Sequence, residues 1–97
     1  MKLKLVTTLA ALALSSAAMA QQGVTKTDIT LGSIQDLSGP LAGFGKQVRM
    51  GLLLAVDELN EQGGIGGRKV TLKVEDSGYD PKRAVLAAQK LVNQDKI

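Results

Sequence analysis

The residues in this sequence most suited to contacting a small molecule lie in a segment marked by glycine and proline, residues 35–45. Ser38 and Gly39 come before Pro40, and Phe44, the only phenylalanine, follows them. Glycines let backbone amides approach a ligand closely. An aromatic ring here can pack against an apolar ligand or on the core of the protein itself. From these residues alone, both interpretations of Phe44 stay open.

A second segment, residues 76–80, carries two further candidates for ligand contact, Asp76 and Tyr79, the only tyrosine. For both, a structural role is the simpler interpretation: Asp76 orders its own loop, and Tyr79 packs on the surface. Asp80 stands before Pro81, a pair typical of the start of a helix, because the Asp side chain accepts from free amides and Pro fits the first helical position.

The composition excludes several kinds of chemistry. The chain has no cysteine and no histidine, so it carries no disulfide, no thiolate metal site and no histidine base. Gly39 and Gly45 are separated by five residues, whereas the phosphate-binding pattern needs four. Asp57, Glu58 and Glu61 resemble a solvated helix face more than a catalytic or metal-binding set. We therefore predict no cofactor, no metal site and no catalytic residue, and we interpret the protein as a non-enzyme.

The first twenty residues have the pattern of a secretory signal. Lys2 and Lys4 precede an apolar run over residues 5–14, and small residues at Ala18 and Ala20 predict cleavage after Ala20. The run is shorter than the roughly 18 residues that a membrane anchor needs. No cysteine follows the cleavage point to carry a lipid, so we expect a soluble protein in the periplasm.

The rest of the chain, residues 21–97, has nearly balanced charge. The chain has 12 Lys and Arg against 9 Asp and Glu, and two of the lysines belong to the predicted signal. The basic and acidic residues alternate along the chain and form no basic patch. We therefore predict no binding to nucleic acid.

Hydrophobic periodicity predicts an α/β fold. We expect strands at residues 28–34 and 69–75, helices at residues 44–62 and from 81 to about 93, and a third strand that Ile97 begins. This β-α-β-α-β order predicts a parallel sheet with flanking helices. In such sheets ligands bind at the carboxyl ends of the strands, where both candidate segments would lie.

Apolar stripes should hold the two helices on the sheet. The stripe of the first helix runs through Val48, Leu52, Ala55, Val56 and Leu59. The stripe of the second helix runs through Ala84, Val85, Ala88, Leu91 and Val92.

A series of short motifs covers nearly all of residues 21–97: ITLG at 29–32, LSGPLA at 37–42 with Gly45, GLLLAVDELN at 51–60, GGIGGRK at 63–69, ED at 75–76, DP at 80–81 with Ala84, and KLV at 90–92. Taken in this order, these motifs resemble the leucine/isoleucine/valine-binding family of periplasmic solute-binding proteins of ABC importers.

The resemblance implies the type I periplasmic-binding fold, in which two α/β lobes close on a ligand between them. It implies that residues 21–97 are the first part of the N-terminal lobe of a longer protein. Phe44 falls where the family often places an aromatic residue facing the cleft, and Ser38 and Gly39 lie in the same loop. The implied ligand is a branched-chain amino acid, an amide or a related small molecule, and the implied partners are membrane permease subunits.

Two other functions stay open at this stage. A ligand-sensing domain of a receptor can have the same fold, and a transmembrane span after the second lobe would favour it. An α/β enzyme would need catalytic residues beyond Ile97.

Overall fold

The computed structural model describes residues 21–97 and contains two strands and two helices in alternation. Strand β1 spans Asp28–Gln35, helix α1 Ala42–Glu61, strand β2 Lys69–Asp76 and helix α2 Pro81–Asn93. The predicted α/β alternation is confirmed, with α1 beginning two residues earlier than the sequence pattern indicated. The signal peptide predicted over residues 1–20 lies outside the described residues. No helix in the described part of the chain is long and apolar enough to cross a membrane.

The two strands form a parallel sheet, as predicted. Their register pairs Asp28 with Lys69 at one end and Gln35 with Asp76 at the other. Because the strands are parallel and in step, both carboxyl ends lie at one edge of the sheet, and the loops that follow them are neighbours.

The two helices cover opposite faces of this sheet. Each contacts both strands, and within residues 21–97 the helices do not contact each other. Gly32 of β1 faces Leu91 of α2, and Lys90 of α2 forms an ion pair with Glu75 of β2. These residues mark the face that α2 covers. The opposite face carries Val70, Leu72 and Val74, the alternating side of β2, and Val70 is only 2% exposed.

The helix stripes differ from the predicted ones. In α1 the residue packed most closely is Gly45; Val56 and Leu59 are half-buried, whereas Val48, Leu52 and Ala55 are exposed. Arg49 is half-buried as well. Gly45 lies against the carbonyl group of Asp36 at the end of β1, and Arg49, Val56 and Asn60 continue from Gly45 along the side of the helix that is covered.

The stripe predicted for helix α2 is confirmed in part. Leu91 is buried and Ala84 and Ala88 are half-buried, as predicted. Val85 and Val92 are exposed, and Ala87, which was not in the predicted stripe, is buried. The prediction that Asp80 caps this helix is confirmed, because Asp80 Oδ2 accepts from the amide of Arg83 at 2.9 Å and Pro81 takes the first position. Ile97 lies in no strand but packs beside Gly32 of β1.

The start of β2 is held by a contact that the sequence analysis missed. Asn60 of α1 donates from Nδ2 to the carbonyl of Val70 at 2.7 Å and accepts at Oδ1 from the amide of Val70 at 2.8 Å. The side-chain amide thus pairs with Val70 as a neighbouring strand would. Helix α1 ends at Glu61, and Gly63 and Gly64, both with positive φ, turn the chain away from it.

Candidate functional site

The two loops at the carboxyl edge of the sheet form the candidate site, which we call the rim and define as residues 36–45 and 76–80. The loops touch directly. A β-carbon at Gly39 would overlap the carbonyl group of Gly78, so the backbones meet at a distance that only glycine permits. The prediction that both segments share one edge is therefore confirmed.

Asp36 organises the first rim loop from within. Its side chain is only 8% exposed. Oδ1 accepts from the amides of Ser38 at 3.2 Å and Gly39 at 2.6 Å, and Oδ2 accepts from the amide of Leu41 at 2.7 Å. A buried carboxylate with three amide donors is a stable arrangement, and it folds residues 36–41 into one rigid turn. No local pattern in the sequence identifies Asp36 as the residue that orders this loop.

Asp76 joins the second loop to the first. Its Oδ1 accepts from the amides of Leu37 at 2.9 Å and Gly78 at 2.8 Å. Its Oδ2 accepts from the hydroxyl of Ser38 at 2.5 Å and from the guanidinium of Arg83 at 3.3 Å. The Ser38 hydroxyl, then the amides of Leu37 and Gly78, hold the pKa of Asp76 well below its ordinary value, with a smaller contribution from Arg83. The carboxylate is thus ionised and acts only as an acceptor.

The two candidate aromatic residues lie on this rim, and both are exposed to solvent and not packed in the core. Phe44 stands in the first turn of α1 and is 72% exposed, and Tyr79 in the second loop is 63% exposed. Tyr79 also has a left-handed backbone with φ 59°, which is uncommon for a residue other than glycine. Its amide donates to the Ser77 hydroxyl at 3.2 Å. The interpretation of Phe44 as a core residue of this part of the fold does not fit its exposure.

A shallow groove lies beside the rim, between β2 and α2. It is lined by Glu75, Asp76, Arg83, Leu86, Ala87 and Lys90. Its charges are paired with one another. Arg83 contacts Asp76, and Lys90 contacts both Glu75 and Asp95, which raises the pKa of Lys90 above its ordinary value.

Ser38 and Asp76 of the rim do not act as a nucleophile and its base. Ser38 is hydrogen-bonded to Asp76, but a carboxylate with a strongly lowered pKa is too weak a base to activate a hydroxyl group. Among residues 21–97, no group of three acidic side chains is placed to hold a metal ion. Asp57, Glu58 and Glu61 are exposed on α1, as a solvated face predicts. The arrangement suits non-covalent binding by an ordered backbone and exposed rings.

Comparisons with known proteins agree with this geometry. Residues 28–97 match the family model described as periplasmic binding protein. The chain is 46% identical over 76 residues to a Leu/Ile/Val-binding protein of Rhizobium johnstonii, covering 78% of this chain and 21% of that protein. It is 40% identical over 83 residues to the Leu/Ile/Val-binding protein of Escherichia coli, covering 86% and 21%. The chain thus spans about a fifth of the length of these relatives.

Solved structures give the same fold. The substrate-binding protein LivJ of the branched-chain amino acid transporter from Streptococcus pneumoniae, in complex with isoleucine, superposes with a TM-score of 0.70 at 34% identity, covering 73% of this chain and 20% of that one. A fatty acid ABC transporter substrate-binding protein from Thermomonospora curvata superposes with a TM-score of 0.73 at 40% identity, covering 75% and 19%.

Proposed function

Since the chain belongs to the periplasmic binding protein family, we propose that its full-length protein is the solute-binding component of an ABC importer. The ligand would be a branched-chain amino acid or a similar small molecule with an apolar side chain. The relatives named for leucine, isoleucine and valine support this ligand class. The rim would form one wall of the ligand cleft, and a second lobe would supply the other.

The observation that carries this proposal is the solvent exposure of Phe44 at the carboxyl edge of the parallel sheet. An exposed aromatic ring normally costs free energy, because its apolar surface stays in water. At this edge the cost is recovered when a ligand covers the ring. Phe44 is therefore proposed as a ligand contact, with Tyr79 as a second contact on the neighbouring loop and Ser38 and Gly39 shaping the backbone between them.

The protein would act after export to the periplasm, where it would deliver its ligand to membrane permease subunits. The signal pattern of residues 1–20 supports export. No covalent step is needed for this role, because closure of two lobes around a ligand requires only contacts that differ between the open and closed states.

A thermal-shift panel on the full-length mature protein tests the proposal. We expect leucine, isoleucine or valine to raise the melting temperature, because a ligand that binds only the folded state stabilises it. Aspartate and lysine serve as polar controls, and we expect no shift with them. A shift with none of the three branched-chain amino acids would contradict the proposed ligand class.

A fatty acid is the second candidate ligand. The substrate-binding protein from Thermomonospora curvata named for fatty acids is 40% identical to this chain, and an exposed Phe44 suits an acyl chain as well as a branched side chain. Palmitate therefore belongs in the panel, and a shift with palmitate alone would favour this alternative.

A further inference from the structure

We propose that Asp76 is the positioning residue of the rim, and that Ser38 acts through Asp76 instead of contacting the ligand. The Asp76 carboxylate would hold the loop after β1 in the one conformation that presents Phe44. This inference rests on the proposed function, in which Phe44 contacts the ligand.

Four groups from distant parts of the chain meet at the Asp76 carboxylate. Asp76 accepts from Leu37 and Ser38, which belong to the loop after β1, from Gly78 in the loop after β2, and from Arg83 in helix α2. A carboxylate has about four acceptor positions, so the two loops and α2 together fill all of them. Leu37 and Ser38 are 39 and 38 residues away in sequence. Asp76 is therefore a joint between two distant parts of the chain.

The hydroxyl group of Ser38 has one hydrogen to donate, and Ser38 directs it to Asp76 Oδ2 at 2.5 Å. The ionised carboxylate cannot donate in return. Ser38 thus has no hydrogen left for a ligand carboxylate or carbonyl group. Its oxygen keeps only acceptor positions, and the hydrogen that it donates holds the two loops together.

A chain of contacts connects Asp76 to the position of Phe44. Asp76 fixes the chain at Leu37 and Ser38, and Asp36 fixes the next residues through Leu41. The following helix then packs with Gly45 against the backbone of Asp36. A displacement at Leu37 is therefore transmitted to the first turn of α1, where Phe44 stands.

A double-mutant cycle separates positioning from direct contact. The full-length mature protein is titrated with L-leucine by calorimetry as wild type, Ser38→Ala, Asp76→Asn and the double variant. We expect each single change to weaken binding by roughly tenfold, as for the loss of one well-placed hydrogen bond. The double variant should bind no more weakly than Asp76→Asn alone, because Ser38 acts only through Asp76.

Two results would overturn the inference. Losses that multiply in the double variant would mean that Ser38 contacts the ligand independently. Wild-type affinity in Asp76→Asn would mean that the joint does not matter for binding. Ser33→Ala is the matched control, since Ser33 lies within β1 and its hydroxyl accepts from Gln35 with no bond to Asp76. The affinity of this variant should equal that of the wild type.

A second measurement without ligand keeps this inference separate from the proposed function. Amide hydrogen exchange is followed at Leu37 and Gly78, with the amide of Val70, bonded to Asn60, as the internal reference. In Asp76→Ala we expect the first two amides to exchange roughly tenfold faster while Val70 is unchanged. Ser38→Ala should also accelerate the hydrogen exchange of Leu37 and Gly78. Because the Ser38 side chain is exposed, we expect this variant to retain the fold.

Unchanged exchange at Leu37 in either variant would reject the joint itself. If the wild type does not bind leucine but the exchange at Leu37 and Gly78 accelerates as expected, then the joint stands and the leucine ligand of the proposed function is rejected.

Discussion

Gly45 of α1 lies directly against the carbonyl group of Asp36, at a distance where a β-carbon would overlap the backbone. This contact decides how the first helix sits on the sheet. It places the first turn of α1, with Phe44, immediately beside the carboxyl end of β1. The geometry of the rim thus depends on the absence of a side chain at one position.

A pair of glycines in the same helix tests this contact. We expect Gly45→Ala to lower the free energy of unfolding by about 1–3 kcal/mol, because the new methyl group must displace the backbone of Asp36. Gly51→Ala is the matched control. Gly51 has nothing within 4 Å of its β-carbon position, so the better helix propensity of alanine should raise the free energy of unfolding by about 0.5–1 kcal/mol. Urea unfolding of the full-length protein measures both, and equal effects would contradict the contact.

Asn60 is expected to be the most important polar side chain of α1. Asn60→Ala leaves the amide and carbonyl of the buried Val70 without partners, and we expect a loss of about 1–3 kcal/mol in the free energy of unfolding. Asn93→Ala, an exposed position at the end of α2, should change it by less than about 0.5 kcal/mol. Chemical denaturation compares the two variants, and a similar small effect at both positions would show that the pairing with Val70 contributes little.

The sequence predicted the elements and the shared edge of the sheet, but not the contacts that order the rim. Alternation in residues 69–75 and the cap at Asp80 are local signals, and both were confirmed. Asp36 accepts from backbone amides within its own turn, whereas Asn60 bonds to the backbone of Val70, ten residues away in sequence. No local sequence pattern predicts these partners. The exposure of Val48, Leu52 and Ala55 was missed for the same reason, since the side of α1 that the sheet covers depends on the close approach of Gly45 to Asp36. The third strand at Ile97 is not formed within residues 21–97.

Acid should break the hydrogen bonds of the Asp76 carboxylate only at very low pH. The folded state lowers the pKa of Asp76 from 3.8, so its contribution to stability is fully present above that value and is lost as pH falls through the lower folded pKa. We expect the difference in unfolding free energy between wild type and Asp76→Asn to be constant above about pH 5. It should narrow progressively as the pH falls below 3.8. Denaturation series at several pH values measure this difference. If the difference in unfolding free energy between wild type and Asp76→Asn already narrows between pH 7 and 5, Asp76 does not have the lowered pKa on which this prediction depends.

Phe44→Ala should weaken ligand binding while leaving the fold intact. Covering a phenylalanine side chain is worth about 1.5–3 kcal/mol, so the affinity for leucine should fall roughly ten- to hundredfold. The melting temperature without ligand should stay near the wild-type value, because the ring is 72% exposed. Met50→Ala removes a similarly exposed apolar side chain from the same helix away from the rim. If both variants bind leucine with wild-type affinity, Phe44 is not a ligand contact.

The most direct test of the central claim is a crystal structure of the full-length mature protein with isoleucine. We expect the ligand between two lobes, with the ring of Phe44 within about 4 Å of it, the distance of ordinary apolar contact. A ligand bound elsewhere, with Phe44 and the loops at residues 36–45 and 76–80 turned away from it, would contradict the account.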